Sequence, residues 1–217
     1  YGRLGDGTTS NRSSPVTTAG GGTNWKQVAC GGGHMGAIKT DGTLWTWGYN
    51  PYGGLGNSTV NSYASPIQVG LLSNWKQVSC GYTHTAAIKT DGTLWCWGTN
   101  SSGELGDNST TERSSPVQTV TFATNWNQVS CGSNNTAAVK TDGTLWCWGY
   151  NLYGGLGDNT VTNRSSPVQT VAFGTYWKQV FNQNATVAIK KDGTLWCWGY
   201  NFNGELGDNT TTNKSSP

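Results

Sequence analysis

Charge is what this sequence has least of. Only 11% of its 217 residues are Asp, Glu, Lys or Arg, where soluble domains usually carry about a quarter. The formal net charge is +2, too small to argue for nucleic acid or an anionic membrane as partner. No apolar run approaches the roughly 20 residues that span a bilayer, so membrane insertion is not expected. No secretory leader is visible. The only methionine is Met35 and the chain opens on Tyr1, so we expect a processed or truncated chain, or a window on a longer one. Two histidines cannot supply the three or four ligands of a metal site. Helical periodicity is missing throughout.

Gly, Thr, Asn and Ser stand in place of charge, a composition that favours turns and strands. Hydrophobic residues make up 34% of the chain and aromatics 12%, enough for a core. The organising feature is an internal repeat. Asp-Gly-Thr-Leu-Trp begins at Asp41, Asp91, Asp142 and Asp192, at spacings of 50, 51 and 50. Leu-Gly recurs at Leu4, Leu55, Leu105, Leu156 and Leu206. Ser-Pro ends at Pro15, Pro66, Pro116, Pro167 and Pro217. Trp25, Trp75, Trp126 and Trp177 are each followed two residues later by Gln-Val.

One unit reads as four short strands. Trp75–Gly81 is the first and His84–Thr90 the second. Asp91-Gly92 makes a two-residue turn, because Gly accepts positive φ. Thr93–Gly98 is the third strand. Its Leu94/Cys96 and Trp95/Trp97 sides are both apolar, as in a strand sandwiched between neighbouring sheets. The fourth strand is Pro116–Val120, with Pro at its first position. Such a unit, apolar on both faces, must stack on copies of itself. The expected fold class is therefore all-β: a β-propeller of four-stranded antiparallel blades, about 50 residues per blade. A linear β-solenoid is the alternative.

The run Gly81, His84-Thr85, Ile88-Lys89, Asp91-Gly92, Trp97-Gly98, Asn100, Gly103–Gly106 and Pro116-Val117 resembles the regulator of chromosome condensation repeat. The resemblance covers essentially the whole chain and implies a propeller, usually seven-bladed in that family. The wording around it is similar to the bacterial and environmental branch rather than to the nuclear exchange factor. Residues 1–217 form one repeat array. Its units are approximately 19–69, 70–120, 121–171 and 172–217, and 1–18 is the end of a preceding unit, with Pro15–Thr18 as a spare fourth strand. A seven-bladed ring at this period needs about 350 residues, so a window on a longer propeller is expected over a self-contained four-bladed ring.

Catalysis needs one asymmetric constellation, and the acids do not offer it. Ten of the eleven occupy repeat positions, and Glu112 lies in a variable loop. Each repeated Asp is expected to cap its own turn. His34 and His84 share one position, filled by Asn135 and Ala185 in the next units, and are expected to tie the second strand to a neighbouring blade. The basic residues Lys39, Lys89, Lys140 and Lys190, and Arg12, Arg113, Arg164 and Lys214, form rings of isolated charges. The Gly- and hydroxyl-containing loop Leu4–Pro15 lacks the ending of a phosphate loop, and no cofactor is expected. Cys30, Cys80 and Cys131 end the first strand, and Cys96, Cys147 and Cys197 lie in the third. Disulfides within a blade would leave Cys30 opposite Thr46 and Cys197 opposite Phe181. They would also have to cross the second strand, over roughly 9–10 Å, so free, buried thiols are expected.

Function is expected where the units disagree. The tips after each Trp-Gly carry Tyr49, Tyr52, Tyr150, Leu152, Tyr153, Tyr200 and Phe202 on otherwise polar loops. Loops at a propeller face are where ligands meet such scaffolds, and aromatics with polar handles suit protein or sugar. The bland reading is that these rings only cover their own loops. The fourth unit also reads Phe-Asn-Gln-Asn at Phe181–Asn184 where the others read Ser-Cys-Gly or Ala-Cys-Gly. We therefore expect a non-catalytic binding or structural module for a protein or glycan surface, in a secreted, cell-surface or virion setting. It would not bind nucleic acid, and it could assemble with further copies or with the remainder of a parent chain. The alternative is a regulatory docking scaffold for a signalling protein such as a small GTPase. Nucleotide exchange would need the insertion wedge that the resemblance implies for the exchange factor, and the nearly equal lengths of the four units leave no room for it here.

Overall fold

In the computed structural model, described for residues 1–171, 174 and 176–217, the repeat becomes four consecutive antiparallel sheets. The first blade holds β1 (Trp25–Cys30), β2 (His34–Lys39), β3 (Leu44–Gly48) and β4 (Tyr63–Gln68). The second holds β5 (Trp75–Cys80), β6 (His84–Lys89), β7 (Leu94–Gly98) and β8 (Arg113–Gln118). The third holds β9 (Trp126–Cys131), β10 (Asn135–Lys140), β11 (Leu145–Gly149) and β12 (Arg164–Gln169). The fourth holds β13 (Trp177–Asn182), β14 (Ala185–Lys190) and β15 (Leu195–Gly199). Its last pairing is a single bridge between Gly199 and Lys214. The expected start of the fourth unit, at 172, lies outside the described residues.

The blades stack in chain order. The first and second strands of each blade pack on the first strand of the next, and the fourth strands make no comparable contact. The first strands are therefore innermost, and no comparable contact joins the first blade to the fourth. Between blades lie Ile88, Leu94, Cys96, Trp126, Val129 and Trp148 at one junction, and Ile38, Leu44, Trp75, Val78 and Trp97 at another, all buried. Val28 on the first blade and Leu195 on the fourth are each 64% exposed, because nothing covers the outward faces of the end blades.

The Gln-Val anchor is a cross-blade clamp. Gln77 Nε2 donates to the Val129 carbonyl at 3.2 Å, and Val129 N donates back to Gln77 Oε1 at 3.0 Å. Gln27 grips Val78 and Gln128 grips Val180 in the same way. A second tie uses the third strand. The Gly54 carbonyl accepts from Trp97 Nε1 at 2.9 Å and from Thr85 Oγ1 at 2.7 Å. The Glu104 and Gly155 carbonyls do the same for Trp148 with Thr136 and for Trp198 with Thr186.

The Asp-Gly-Thr-Leu-Trp string is also resolved into bonds. Asp91 Oδ1 accepts from Thr93 N and Thr93 Oγ1, and Trp95 Nε1 donates to Thr93 Oγ1. The Lys89 ammonium then lies 3.9 Å from the Trp95 ring centroid and 5.1 Å from that of Trp75. Each blade repeats this sandwich, worth about 0.5–2 kcal/mol depending on burial. Arg113 pairs with Asp107 at 3.0 Å, and Arg12 and Arg164 pair with Asp6 and Asp158. The basic residues are thus structural partners, not isolated charges.

Several details differ from the sequence reading. The Asp-Gly hairpin has three loop residues, not two, since Lys89 N donates to the Thr93 carbonyl and Gly92 sits at φ +79. This is a type I turn followed by a left-handed residue. The fourth strand starts three residues early, at Arg113, so Pro116 lies inside it. Pro116 is tolerated because β8 is an edge strand whose pairing slips between Cys96 and Gly98, and Pro survives at edges and bulges. Pro15–Thr18 form no strand, having no third strand beside them. Residues 3–7 instead dock on the first blade: Trp47 Nε1 donates to the Arg3 carbonyl and Gly7 N to the Ala64 carbonyl. Each long loop docks on the next blade in the same manner, as in Ser58 N to the Ser114 carbonyl.

Candidate functional site

Each blade sends two connections to the same end of the stack: the short turn between its first and second strands, and the long loop after its third. The long loop begins at a glycine that no other residue could replace without backbone movement. A Cβ on Gly149, at φ +101, would lie 2.7 Å from the Asn134 carbonyl oxygen. The loop is then held by one buried asparagine. Asn151 Oδ1 accepts from Leu156 N, and its Nδ2 donates to the Thr160 and Thr162 carbonyls. Asn50, Asn100 and Asn201 do the same in their loops. The variable tip residues are thus carried on a rigid frame.

The structure divides the seven tip residues. Tyr150, Tyr153, Tyr200 and Phe202 converge from the third and fourth blades. Tyr153 lies 6.0 Å from Tyr150, 5.1 Å from Tyr200 and 5.6 Å from Phe202 between ring centroids, in edge-to-face contacts. Tyr200 and Phe202 are 4.9 Å apart. Tyr49 belongs to a separate pair with Tyr1, at 4.3 Å. Tyr52 and Leu152 are exposed, and neither takes part in these ring contacts. The second blade has Thr99, Ser101 and Ser102 at these positions.

Beside the four-ring cluster opens a pocket of about 290 Å³, lined by Tyr150, Tyr153 and Tyr200, by Gly155, and by Ser133, Asn134, Asn135, Gln183 and Asn184. None of these side chains is charged. Burial, then the neighbouring Tyr153, raises the Tyr150 hydroxyl above the ordinary phenol range, so the site stays neutral.

The pocket's lining differs from the second blade at three repeat positions, although Tyr150, Tyr153 and Gly155 match Tyr49, Tyr52 and Gly54 of the first. In the first two blades the position of Asn135 is a histidine. His34 Nε2 meets Thr85 Oγ1 at 2.6 Å and His84 Nε2 meets Thr136 Oγ1 at 3.1 Å, each tying its second strand to the next blade. Both rings are buried, and burial pushes their pKa values down to about 4 and about 3. Asn135 is shorter. Its Oδ1 accepts from Asn182 Nδ2 at 3.0 Å, and Asn182 Oδ1 in turn accepts from Thr186 Oγ1. Gly155 replaces the buried Glu104 of the second blade. The turn of the fourth blade supplies Gln183 and Asn184, with Ser133 Oγ donating to Asn184 Oδ1 at 2.9 Å.

Sequence reasoning found the rings and noticed the odd Phe181–Asn184 edge, but it missed that they share a site. It also missed Ser133 and Asn134, and read Asn135 only as a structural tie. Phe181 does not stand in the cysteine position as expected. Asn182 does, because it is Asn182 N that donates to Ser130 Oγ, as Cys131 N donates to Ser79 Oγ in the preceding blade. The signal was present as repeat disagreements. What joined them is the stacking, which lays the loop of one blade over the hairpin turn of the next. All six thiols are free, but Cys30 is exposed, on the uncovered face of the first blade, and Cys197 is only half-buried; the other four are buried as expected. No group of three or more metal-ligating side chains occurs among the described residues.

Fold and site together define a repeat-built β-propeller assembly, uniform in its packing residues and varied at one face. The chain belongs to the RCC1-like domain family, whose model matches residues 1–217. It is 33% identical over 170 residues to the ultraviolet-B receptor UVR8 of Arabidopsis thaliana, covering 78% of this chain and 28% of that protein. The solved structure of human WBSCR16 superposes with a TM-score of 0.86 at 23% identity, over all of this chain and 59% of the other. Prp20p of Saccharomyces cerevisiae, whose structure was described with its binding to Gsp1p and histones, gives 0.83 at 19% identity over 95% of this chain and 52% of that one. The chain thus spans about half the length of these solved relatives.

Proposed function

We propose that this chain is a non-catalytic binding module whose contact surface is the aromatic cluster and pocket at the junction of the third and fourth blades. The observation that carries this is convergence. Tyrosines and amides from two loops, two turns and a strand end meet at one pocket, and among them Asn135 departs from the histidine of both earlier blades. The titratable groups support a non-enzymatic role. Turn aspartates are bonded to threonines two residues on, loop aspartates pair with arginines, and the histidines bond across blades. Low charge and abundant Asn, Thr and Ser support a secreted, cell-surface or virion setting. Burial of Cys80, Cys96, Cys131 and Cys147 would shield those thiols in any compartment.

A docking scaffold for a signalling protein is the second reading, favoured by the yeast relative's described binding to Gsp1p. The test is binding of the chain to glycan and protein arrays. Tyr153→Ser with Phe202→Ser should abolish capture, while Tyr49→Thr with Tyr52→Ser should not. Equal loss in both variants would place the contact elsewhere, and a parent that captures nothing would make the array purely structural.

A further inference from the structure

We propose that the pocket between the third and fourth blades seats one uncharged sugar ring of a glycan; this rests on the binding reading above and narrows its ligand. Size is the first argument. At about 290 Å³ the pocket lies at the small end of ligand sites, enough for a single ring and too small for a peptide helix or a nucleotide.

Charge is the second argument. A charged ligand taken out of water needs a charged or multiply bonded partner, and no lining side chain carries charge. An ammonium cage would need ring faces set apart around the cation. Here Tyr153 lies edge-to-face with Tyr150 at 6.0 Å and with Tyr200 at 5.1 Å, so no cation-sized gap separates it from either ring. All three rings line the pocket and offer apolar surface to the C–H face of a sugar ring.

The hydrogen-bonding inventory is the third argument. Sugar hydroxyls both donate and accept, and side-chain amides do the same. Asn134, Asn135, Gln183 and Asn184 put four amide-bearing residues around the pocket. Asn135 is only 5% exposed. Its Oδ1 is taken by Asn182 at 3.0 Å, while its Nδ2 donates to no described residue and faces Gly155 of the pocket wall, where a Cβ would lie 3.3 Å from it. The residue at this position in the first two blades is a histidine whose ring nitrogen is already bonded to a threonine. Replacing it by Asn frees one donor toward the cavity.

The experiment uses saturation-transfer NMR on the 217-residue chain, with the methyl glycosides of glucose, galactose, mannose and N-acetylglucosamine as probes. Glucuronic acid and glucosamine serve as charged controls. At least one neutral sugar should receive saturation, and neither charged control should. Asn135→His restores the residue that the fold accepts twice, with Thr186 in place to receive it. It should lower the transfer at least about tenfold, the effect of losing one good hydrogen bond and the space around it. Tyr153→Ser, which copies Ser102 of the second blade, should do the same and serves if Asn135→His alters the circular dichroism. Transfer to no neutral sugar, equal transfer to the charged controls, or transfer that survives both variants overturns the proposal. If sugars fail but protein capture is still lost in Tyr153→Ser with Phe202→Ser, the sugar proposal falls and the binding reading stands. If neither sugars nor proteins bind, both fall.

Discussion

The glutamine clamp makes the sharpest stability prediction, because the chain contains its own control. Gln77→Ala removes both hydrogen bonds to Val129 and leaves a peptide N–H and a carbonyl without partners at a junction where Val129 is 2% exposed. An unpaired buried polar group costs about 1–3 kcal/mol, so the pair should cost about 2–6 kcal/mol. Gln179 holds the same place in the fourth blade and has no such partner among the described residues. Gln179→Ala should therefore stay within about 0.5 kcal/mol of the parent. With an m-value of about 2 kcal/mol/M in urea, the first variant should shift the midpoint down by about 1–3 M and the second by almost nothing. Repeat arrays can lose all-or-none unfolding, so amide exchange at Val129 is the local readout and should accelerate only in Gln77→Ala. Equal behaviour of the two variants would refute the clamp as the blade-to-blade tie.

Three further outcomes are expected. Acid should weaken the fold above the carboxylate range: the unfolded histidines take up protons as pH falls through about 6.5, whereas folded His34 and His84 do so only near about 4 and about 3. Their contribution is complete above about pH 6.5 and drops by about 4 kcal/mol for the two together by pH 5. Glu104, raised by its burial, acts in the opposite sense, so the comparison is with His34→Asn/His84→Asn, which should flatten the pH profile of thermal melting; an unchanged slope would contradict the burial argument. A small alkylating reagent should label Cys30 in the native chain and leave Cys80, Cys96, Cys131 and Cys147 protected, with all six labelled after unfolding without reductant; mass spectrometry that finds a bridge would overturn the strand order. Trp97→Ala removes a fully buried side chain and its bond to the Gly54 carbonyl and should cost about 3–5 kcal/mol; an unchanged urea midpoint would contradict blade stacking.

The repeat made the architecture legible because packing residues cannot vary between stacked copies. Leu94, Trp97 and Ile88 are in every unit or nearly so because each faces a neighbouring blade. What the sequence hid was pairing across blades. Nothing in Gln-Val says that the amide reaches the next unit, and nothing in the Lys position says that it lies between two indoles. The hairpin length and the early start of β8 were hidden for a different reason: a three-residue turn and a bulged edge strand tolerate Gly and Pro as readily as the arrangements expected. The site was half legible. Tyr150, Tyr153, Tyr200 and Phe202 stood out as aromatics on polar loops, but Asn135 and Asn184 gain meaning only when stacking sets blade three against blade four.

Binding belongs, on this reading, to the tyrosines and amides that meet at the junction of the third and fourth blades. This is tested by returning that junction to the pattern of the second blade, with Asn135→His, Tyr150→Thr, Tyr153→Ser and Gly155→Glu in one chain. A matched chain carries Tyr49→Thr, Tyr52→Ser and Gly54→Glu at the first junction. With circular dichroism confirming the fold of both, capture on glycan and protein arrays should vanish in the first chain and persist in the second. Capture that persists in the first chain would contradict the claim.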